Sequence, residues 1–343
     1  PGLFTNDNQI ILTLQEDPSG LLWVGTDGTG IFKFDLNQKK FTNIGNDSKT
    51  STLIGSTHVL SVFVDPFRKL WLGTKGGGIQ YSSDWKTFTK VEIHSPEIKT
   101  SPAQPFVSRT YLQDGDYLWV GTDKGLIRIL NKGKEVGKYE LFLPDRNVPH
   151  SISDRKITSI VKDRNGRIWI GTQENGLSFI SGYDKNNRPL FTNYKPAYGV
   201  KGALQNERVS CLLVDSKMRL WIGTYKGLHL FQPATNSFQV FTQVSGQHNS
   251  LSNNTILSVT EDKFGHIWAA TQYGLNKIIA VKDNELVVES FTAKQGLPSD
   301  YIHAVISDAA GHIWASTNKG IVRFNVAKMS FAVFDKRDGV QSN

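Results

Sequence analysis

Lysine, arginine and tyrosine recur at matching places along this chain. Together they are the side chains that grip an acidic sugar, because cations pair with carboxylate or sulfate while aromatic planes cover the apolar face of a sugar ring. Lys75, Lys124, Tyr225, Lys226, Tyr273 and Lys319 follow shortly after a recurring threonine, and His58, Arg155, Arg208 and Tyr301 stand just ahead of, or at the start of, a recurring apolar run. Each is also an ordinary residue for an exposed turn, where a lysine beside glycine serves solubility. Acid–base chemistry has fewer candidates: Asp27, Glu174 and Glu207 as carboxylates, His58 and His303 as bases. A glycosidase needs two positioned carboxylates, and a lyase needs a base with charge neutralisation at the substrate acid. No metal-ligand spacing supports these residues, and "DRNG" and "DGD" lack the further oxygen ligands that calcium requires. No catalytic residue, metal or cofactor is assigned.

These candidates hang on a repeat. Trp23, Trp71, Trp119, Trp169, Trp221, Trp268 and Trp314 recur every 46 to 52 residues. Six residues ahead of them stand Asp17, Asp65, Asp163, Asp215, Asp262 and Asp308, with Asp114 one residue closer to its tryptophan. Just after each tryptophan comes a threonine: Thr26, Thr74, Thr122, Thr172, Thr224, Thr271 and Thr317. Each unit reads as four short strands separated by turn signals; in the sixth these are "TILSVTED", "HIWAAT", "GLNKII" and "VVESFTA". No helical period intervenes. Seven such units predict an all-β fold, a seven-bladed β-propeller with four antiparallel strands per blade, over residues 1–343 as one propeller.

One column tests that reading. On the first strand of each unit stand Thr13, Ser61, Thr110, Ser159, Cys211, Ser258 and Ala304, all small, as crowding around a central axis requires. Cys211 then fills a packing position, not a reactive one. The tryptophans are expected to fill wedges between blades, and the aspartates to organise the first hairpin turn through nearby backbone amides. The loops joining second to third strands and those joining consecutive blades should share one face, which places the lysines and tyrosines together. The opposite face carries Arg68, Lys69, Arg164, Arg167, Lys217, Arg219 and Lys263, so charge alone selects no face. The stretch 91–107, with three prolines, predicts an extended loop acting as a lid or docking surface. "YSSDWKTF" is similar to the sialidase Asp-box but lacks its glycine.

The net charge of +8 over 343 residues favours acidic partners. Its cations are scattered with no basic run, which argues against nucleic acid. One cysteine permits no intrachain disulfide, and no apolar run is long enough to span a bilayer.

The phrase I-x-x-x-x-x-D-x-x-G-x-L-W-I-G-T-x-x-G-L, seen in "ITSIVKDRNGRIWIGTQENGL" (157–177) and "VSCLLVDSKMRLWIGTYKGL" (209–228), resembles the two-component regulator propeller repeat. That resemblance implies the periplasmic sensor region of a Bacteroidetes hybrid two-component system histidine kinase, part of an inner-membrane receptor. It implies an oligosaccharide ligand from polysaccharide breakdown, a second propeller and an immunoglobulin-like domain in the same receptor, and a homodimer of the full receptor. "GLFTND", "GLPSD" and "GVQSN" look like one inter-repeat segment, so the chain reads as a fragment of a longer receptor, weakly favouring its second propeller. Since no strand from one terminus completes a blade begun at the other, the first and last blades are expected to join by packing alone. Three readings stay open: a non-catalytic sensor, a structural ring that docks another domain, and a propeller lyase or glycosidase.

Overall fold

Turn chemistry decides where the first two strands of each repeat meet. Asp17 Oδ1 accepts the amides of Ser19 (2.8 Å) and Leu21 (3.1 Å), and Gly20 closes the turn onto the Asp17 carbonyl. Asp163 does the same for Asn165 and Arg167, and Asp262 for Phe264 and His266. The fourth turn residue takes a left-handed φ: glycine at 20, 166, 265 and 311, but Arg68 (φ 65°) and Met218 (φ 65°) in two repeats. The second carboxylate oxygen has a task that the sequence reading missed. Oδ2 accepts the indole N–H six residues on, linking Asp17 to Trp23, Asp65 to Trp71, Asp163 to Trp169, Asp215 to Trp221, Asp262 to Trp268 and Asp308 to Trp314 at 2.8–3.0 Å. Burial works against the charged form of Asp17, Asp163 and Asp262, yet these hydrogen bonds outweigh it and hold the carboxyls below their usual range.

The computed structural model describes residues 10–35, 40–44, 54–95, 98, 105–247, 250–282 and 285–334. The fold is a seven-bladed β-propeller with four antiparallel strands per blade. The blades span 11–44, 59–90, 108–142, 157–194, 209–241, 256–291 and 302–334, and in every sheet the strands lie in sequence order. A 3₁₀ turn, Ala293–Gln295, is capped by Thr292 within the segment leading to "GLPSD". Contacts divide the chain into two units, residues 1–108 with 291–343, and residues 109–290.

Within each unit the first strands of neighbouring blades are stitched by hydroxyls. In residues 109–290, Thr158 Oγ1 donates to the Val209 carbonyl (2.6 Å) and Ser210 Oγ to that of Ile256 (2.5 Å), while Thr110 and Ser159 accept the amides of Ile160 and Leu212. In the other unit Ser61 Oγ donates to the Ser108 carbonyl (2.8 Å). Residues of the small column stand opposite the position two after the tryptophan: Thr13 against Gly25, Ser61 against Gly73, Cys211 against Gly223. That pair touches the next blade, since a Cβ on Gly223 would fall 2.3 Å from Cys211 Sγ and 2.9 Å from Ile256. Burial pushes the Cys211 thiol up to about 12, fitting a packed and unreactive sulfur.

The seven repeat tryptophans are 0–1 % exposed, and Trp23, Trp119, Trp169, Trp221 and Trp314 join the apolar cluster of the following blade. Trp169 packs with Val209, Leu212 and Ile222, and Trp221 with Ile256 and Ile267. Blade 3 lacks the aspartate clamp. There Arg128, 4 % exposed, lies within 5.7 Å of the Tyr117, Trp119 and Phe142 rings, bonds Glu140 at 2.8 and 3.0 Å and donates to the Asn187 carbonyl. Asp114, displaced by one residue, pairs with Lys162 instead.

Of 91–107, residues 96–97 and 99–104 lie outside the described residues; Ile93, Ile98 and Phe106 are buried. "GLFTND" and "GVQSN" at the two ends also lie outside them.

Candidate functional site

Threonine builds the hairpins on which the predicted residues sit. All seven repeat threonines are buried, and each donates its hydroxyl across the hairpin to a glycine carbonyl at 2.7–3.2 Å. The same oxygen accepts the backbone amides of Lys124, Lys226, Tyr273 and Lys319 at 3.0–3.1 Å, which fixes where those side chains leave the turn. These hairpins bond the segments leading into first strands: Gly28 and Gly30 donate to the Thr57 carbonyl, Gly176 to Glu207 and Gly227 to Asn254. Hairpins and inter-blade segments therefore share a rim within each unit.

In the unit formed by 1–108 and 291–343, His58 pairs edge to edge with Asp27, their side chains 3.6 Å apart, and the His58 carbonyl accepts the Lys75 amide. Tyr301 packs on His303, with ring centroids 4.6 Å apart. Burial lowers the His303 pKa against the opposing pull of its 2.6 Å bond to Asn318. Lys75 and Lys319 are exposed.

In residues 109–290 the predicted residues draw together best on blade 5. The Arg208 guanidinium stands 4.1 Å from the centroid of Tyr225, and the Lys226 ammonium 4.8 Å from that of Tyr198. Asn206 organises the set by accepting the amides of Arg208 and Tyr225, both at 3.3 Å. Tyr198 donates its phenol to Glu207, which raises the tyrosine pKa and lowers that of the carboxylate. Tyr198 was missed by the sequence reading because it lies in the loop 195–208, outside the repeated positions. Lys124 is half-buried on blade 3, Tyr273 is exposed on blade 6, and Arg155 lines a cleft beside blade 4. Within residues 109–290, Arg208, Tyr225 and Lys226 are thus brought together.

The acid–base candidates are each engaged by a neighbour. Glu174 pairs with Lys156 at 2.5 Å, Glu207 with Tyr198, and Asp27 with His58. A carboxylate held below its usual range, as Glu207 is, is poorly matched to general acid catalysis near neutral pH. Among the described residues no group of three or more His, Cys, Asp or Glu could hold a metal ion. On the opposite face, Lys69 is buried, and Arg167 and Arg219 stack on Trp169 and Trp221 while pairing with Asp163 and Asp215, so much of that basic charge belongs to the blades.

Comparison with known proteins agrees with this construction. The two-component regulator propeller family matches at residues 6–28, 151–174, 250–273 and 296–319. Those segments open blades 1, 4, 6 and 7, the four blades whose aspartate turn keeps a left-handed glycine at its fourth position. Histidine kinase P4 of Formosa agariphila is 27 % identical over 294 residues, covering 72 % of this chain and 21 % of that protein. A solved structure of the extracellular domain of what is described as a hybrid two component system from B. thetaiotaomicron is 26 % identical, with a TM-score of 0.73 over 93 % of this chain and 39 % of that one. The chain therefore spans well under half the length of both relatives. The GH74 enzyme of Niastella koreensis shares the fold alone, at 15 % identity and a TM-score of 0.65 over 92 % of this chain and 52 % of its own. The shared phrase, the four matched segments and the similarity to an extracellular domain agree: this chain carries segments that match the two-component regulator propeller family.

Proposed function

We propose that this chain is a ligand-sensing propeller of a hybrid two-component receptor, working in the periplasm as one part of a longer inner-membrane protein. Its ligand is an oligosaccharide released from a polysaccharide, with acidic sugars the favoured class, and its signal passes to a histidine kinase elsewhere in that receptor. Similarity to an extracellular domain of such a system supports the sensing role. The observation that carries the ligand class is the paired stacking on blade 5, Arg208 on Tyr225 and Lys226 over Tyr198. Cations already seated on aromatic planes offer a carboxylate or sulfate its counter-charge beside a surface that covers a sugar ring. Lys124, Arg155 and Tyr273 are further candidates within residues 109–290 in this reading, and His58, Lys75, Tyr301 and Lys319 are candidates within the other unit. A receptor of this kind acts because its ligand binds two arrangements of its domains unequally, so the propeller itself needs no catalytic group.

A thermal melt against neutral and acidic oligosaccharides tests the reading. Ligand at one hundred times its dissociation constant adds about 2.7 kcal/mol. A shift with acidic sugars that shrinks at high salt, and that is lost in Arg208→Ala, is the expected result. The absence of any shift with every sugar would instead favour a ring whose role is to dock another domain.

A further inference from the structure

Blade 4 carries a cleft of about 720 Å³ that includes two of the residues singled out in the sequence, Arg155 and Glu174. Its walls are Asp123 of the preceding blade, the connection 144–156, the hairpin residues Glu174 and Asn175, and Asn193 and Lys195 at the end of the outer strand, all within residues 109–290. The connection is pinned rather than draped. Ser151 Oγ donates to the Asp145 carbonyl (2.7 Å) and accepts the Asp145 amide (3.1 Å). Asn193 Nδ2 donates to the Ser151 carbonyl (3.0 Å), and the Phe191 amide donates to that of His150 (2.8 Å). A space of this size between fixed walls is in the range that holds a small ligand.

Its charges sort into two classes. Asp154 is buried and accepts the amides of Glu174 (2.8 Å) and Lys156 (3.2 Å). Glu174 is paired with Lys156, and Asp145 accepts the Asn147 amide (2.8 Å). Asp123, the remaining acid of the lining, is engaged as well, so the acids serve the walls. Arg146, Arg155 and Lys195 also line the cleft, and among the described residues none of them has an ion-pair partner. Three cations facing one space whose nearby acids are engaged make a site for an anion.

We infer that this cleft is an anion subsite for a sulfate- or carboxylate-bearing sugar unit. The inference rests on the proposed oligosaccharide ligand and extends it. The hairpin that forms one wall bonds through the Gly176 amide to the Glu207 carbonyl (2.8 Å), next to Arg208. One acidic oligosaccharide can thus be held at two charged stations, Arg146 with Arg155 in the cleft and Arg208 with Lys226 on blade 5, so recognition depends on the spacing of its charges as well as their number.

Calorimetric titration of this chain with a heparin-derived tetrasaccharide, trigalacturonic acid and neutral maltotriose tests the assignment, with sodium sulfate as competitor. In Arg146→Ala/Arg155→Ala the affinity for the better acidic probe should fall at least tenfold and its salt dependence should weaken, with an unchanged melting temperature showing that the fold is intact. Equal acidic binding by wild type and this variant overturns the cleft and leaves the sensing reading in place, which Arg208→Ala then tests separately. Failure of both acidic probes to bind wild type also overturns the cleft, and binding of maltotriose in that case would still preserve a neutral-sugar sensor. Full competition by sulfate alone, with no gain from an attached sugar, reduces the cleft to a simple oxyanion site and overturns the sugar assignment.

Discussion

Asp215 uses both carboxylate oxygens inside its own blade: Oδ1 accepts the Arg219 amide at 2.8 Å, and Oδ2 accepts the Trp221 indole N–H at 2.9 Å and the Arg219 Nε–H at 2.7 Å. The turn half of this clamp was legible, because Asp-x-x-Gly is a turn with a known mechanism. The indole half was not, since spacing in a sequence does not reveal which way a ring nitrogen points. The fourth turn position shows how firmly the clamp sets the backbone, for Met218 is held at φ 65° although its side chain is 53 % exposed and has little packing to lose. A left-handed conformation costs a residue with a Cβ about 1–2 kcal/mol. Glycine relieves that cost while losing roughly 0.5–1 kcal/mol of unfolded-chain entropy. Met218→Gly is therefore expected to stabilise the protein by about 0.5–1 kcal/mol, read as a raised urea midpoint at constant slope. Gly166→Ala, at the matching turn with φ 84°, should move the midpoint the other way. A lower midpoint for Met218→Gly would show that the methionine makes packing contacts stronger than its exposure implies.

At the scale of the strand pair, the recurring glycine two after tryptophan and the small residue opposite it act as one feature. In five repeats glycine faces Thr, Ser or Cys, whereas the sixth sets Ala270 against Ser258 and the seventh sets Ser316 against Ala304. In the seventh the hydroxyl has changed strands, and Ser316 Oγ now accepts the Ala304 amide at 3.0 Å. The small column was read from the sequence as crowding at an axis. The structure gives a more specific cause, contact with the next blade's first strand and hydrogen bonds to its backbone. Gly223→Ala places a methyl 2.3 Å from Cys211 Sγ and 2.9 Å from Ile256, so it should cost about 1–3 kcal/mol. Pairing it with Cys211→Ala, which mimics the seventh repeat, should recover part of that loss; a double variant no more stable than Gly223→Ala would mean that Ile256, not the sulfur, sets the limit. Strand order and anchors were legible because they repeat. The blade-4 cleft was not, although Arg155 and Glu174 are among the sequence candidates, because much of its wall comes from residues 144–150, outside the repeat phrase, and the Tyr198 platform was hidden in another such connection.

At the largest scale, the sequence predicted that the first and last blades join without a shared strand, and the sheet order agrees: strands Ile11–Glu16 through Lys40–Ile44 form one sheet and Ile302–Ser307 through Ser330–Phe334 another. What joins them, within the unit formed by 1–108 and 291–343, is a shared aromatic cluster and one charged hydrogen bond. Trp314 packs with Ile11, Leu14, Leu22, Val24 and Phe32 of blade 1, its ring 5.5 Å from Phe34 and stacked at 5.6 Å on Phe334. Phe34 in turn stacks on Phe41 at 4.2 Å, and Glu16 Oε2 accepts the Ala309 amide at 2.8 Å. A junction of this kind has no backbone ladder between its sheets, so its strength scales with buried ring area. Trp314→Ala is expected to cost about 3–5 kcal/mol, whereas Trp314→Phe, which keeps most of the ring contact and removes only the bond to Asp308, should cost less. Hydrogen exchange separates a local from a general effect. In Trp314→Ala, amides of Ile11–Glu16 and Ile302–Ser307 should lose protection well before those of Val59–Val64, because opening at the junction then becomes the lowest-energy excursion of that unit. Uniform loss of protection across all three strands would show instead that this tryptophan supports the whole unit and that the junction is no weaker than any other contact between blades.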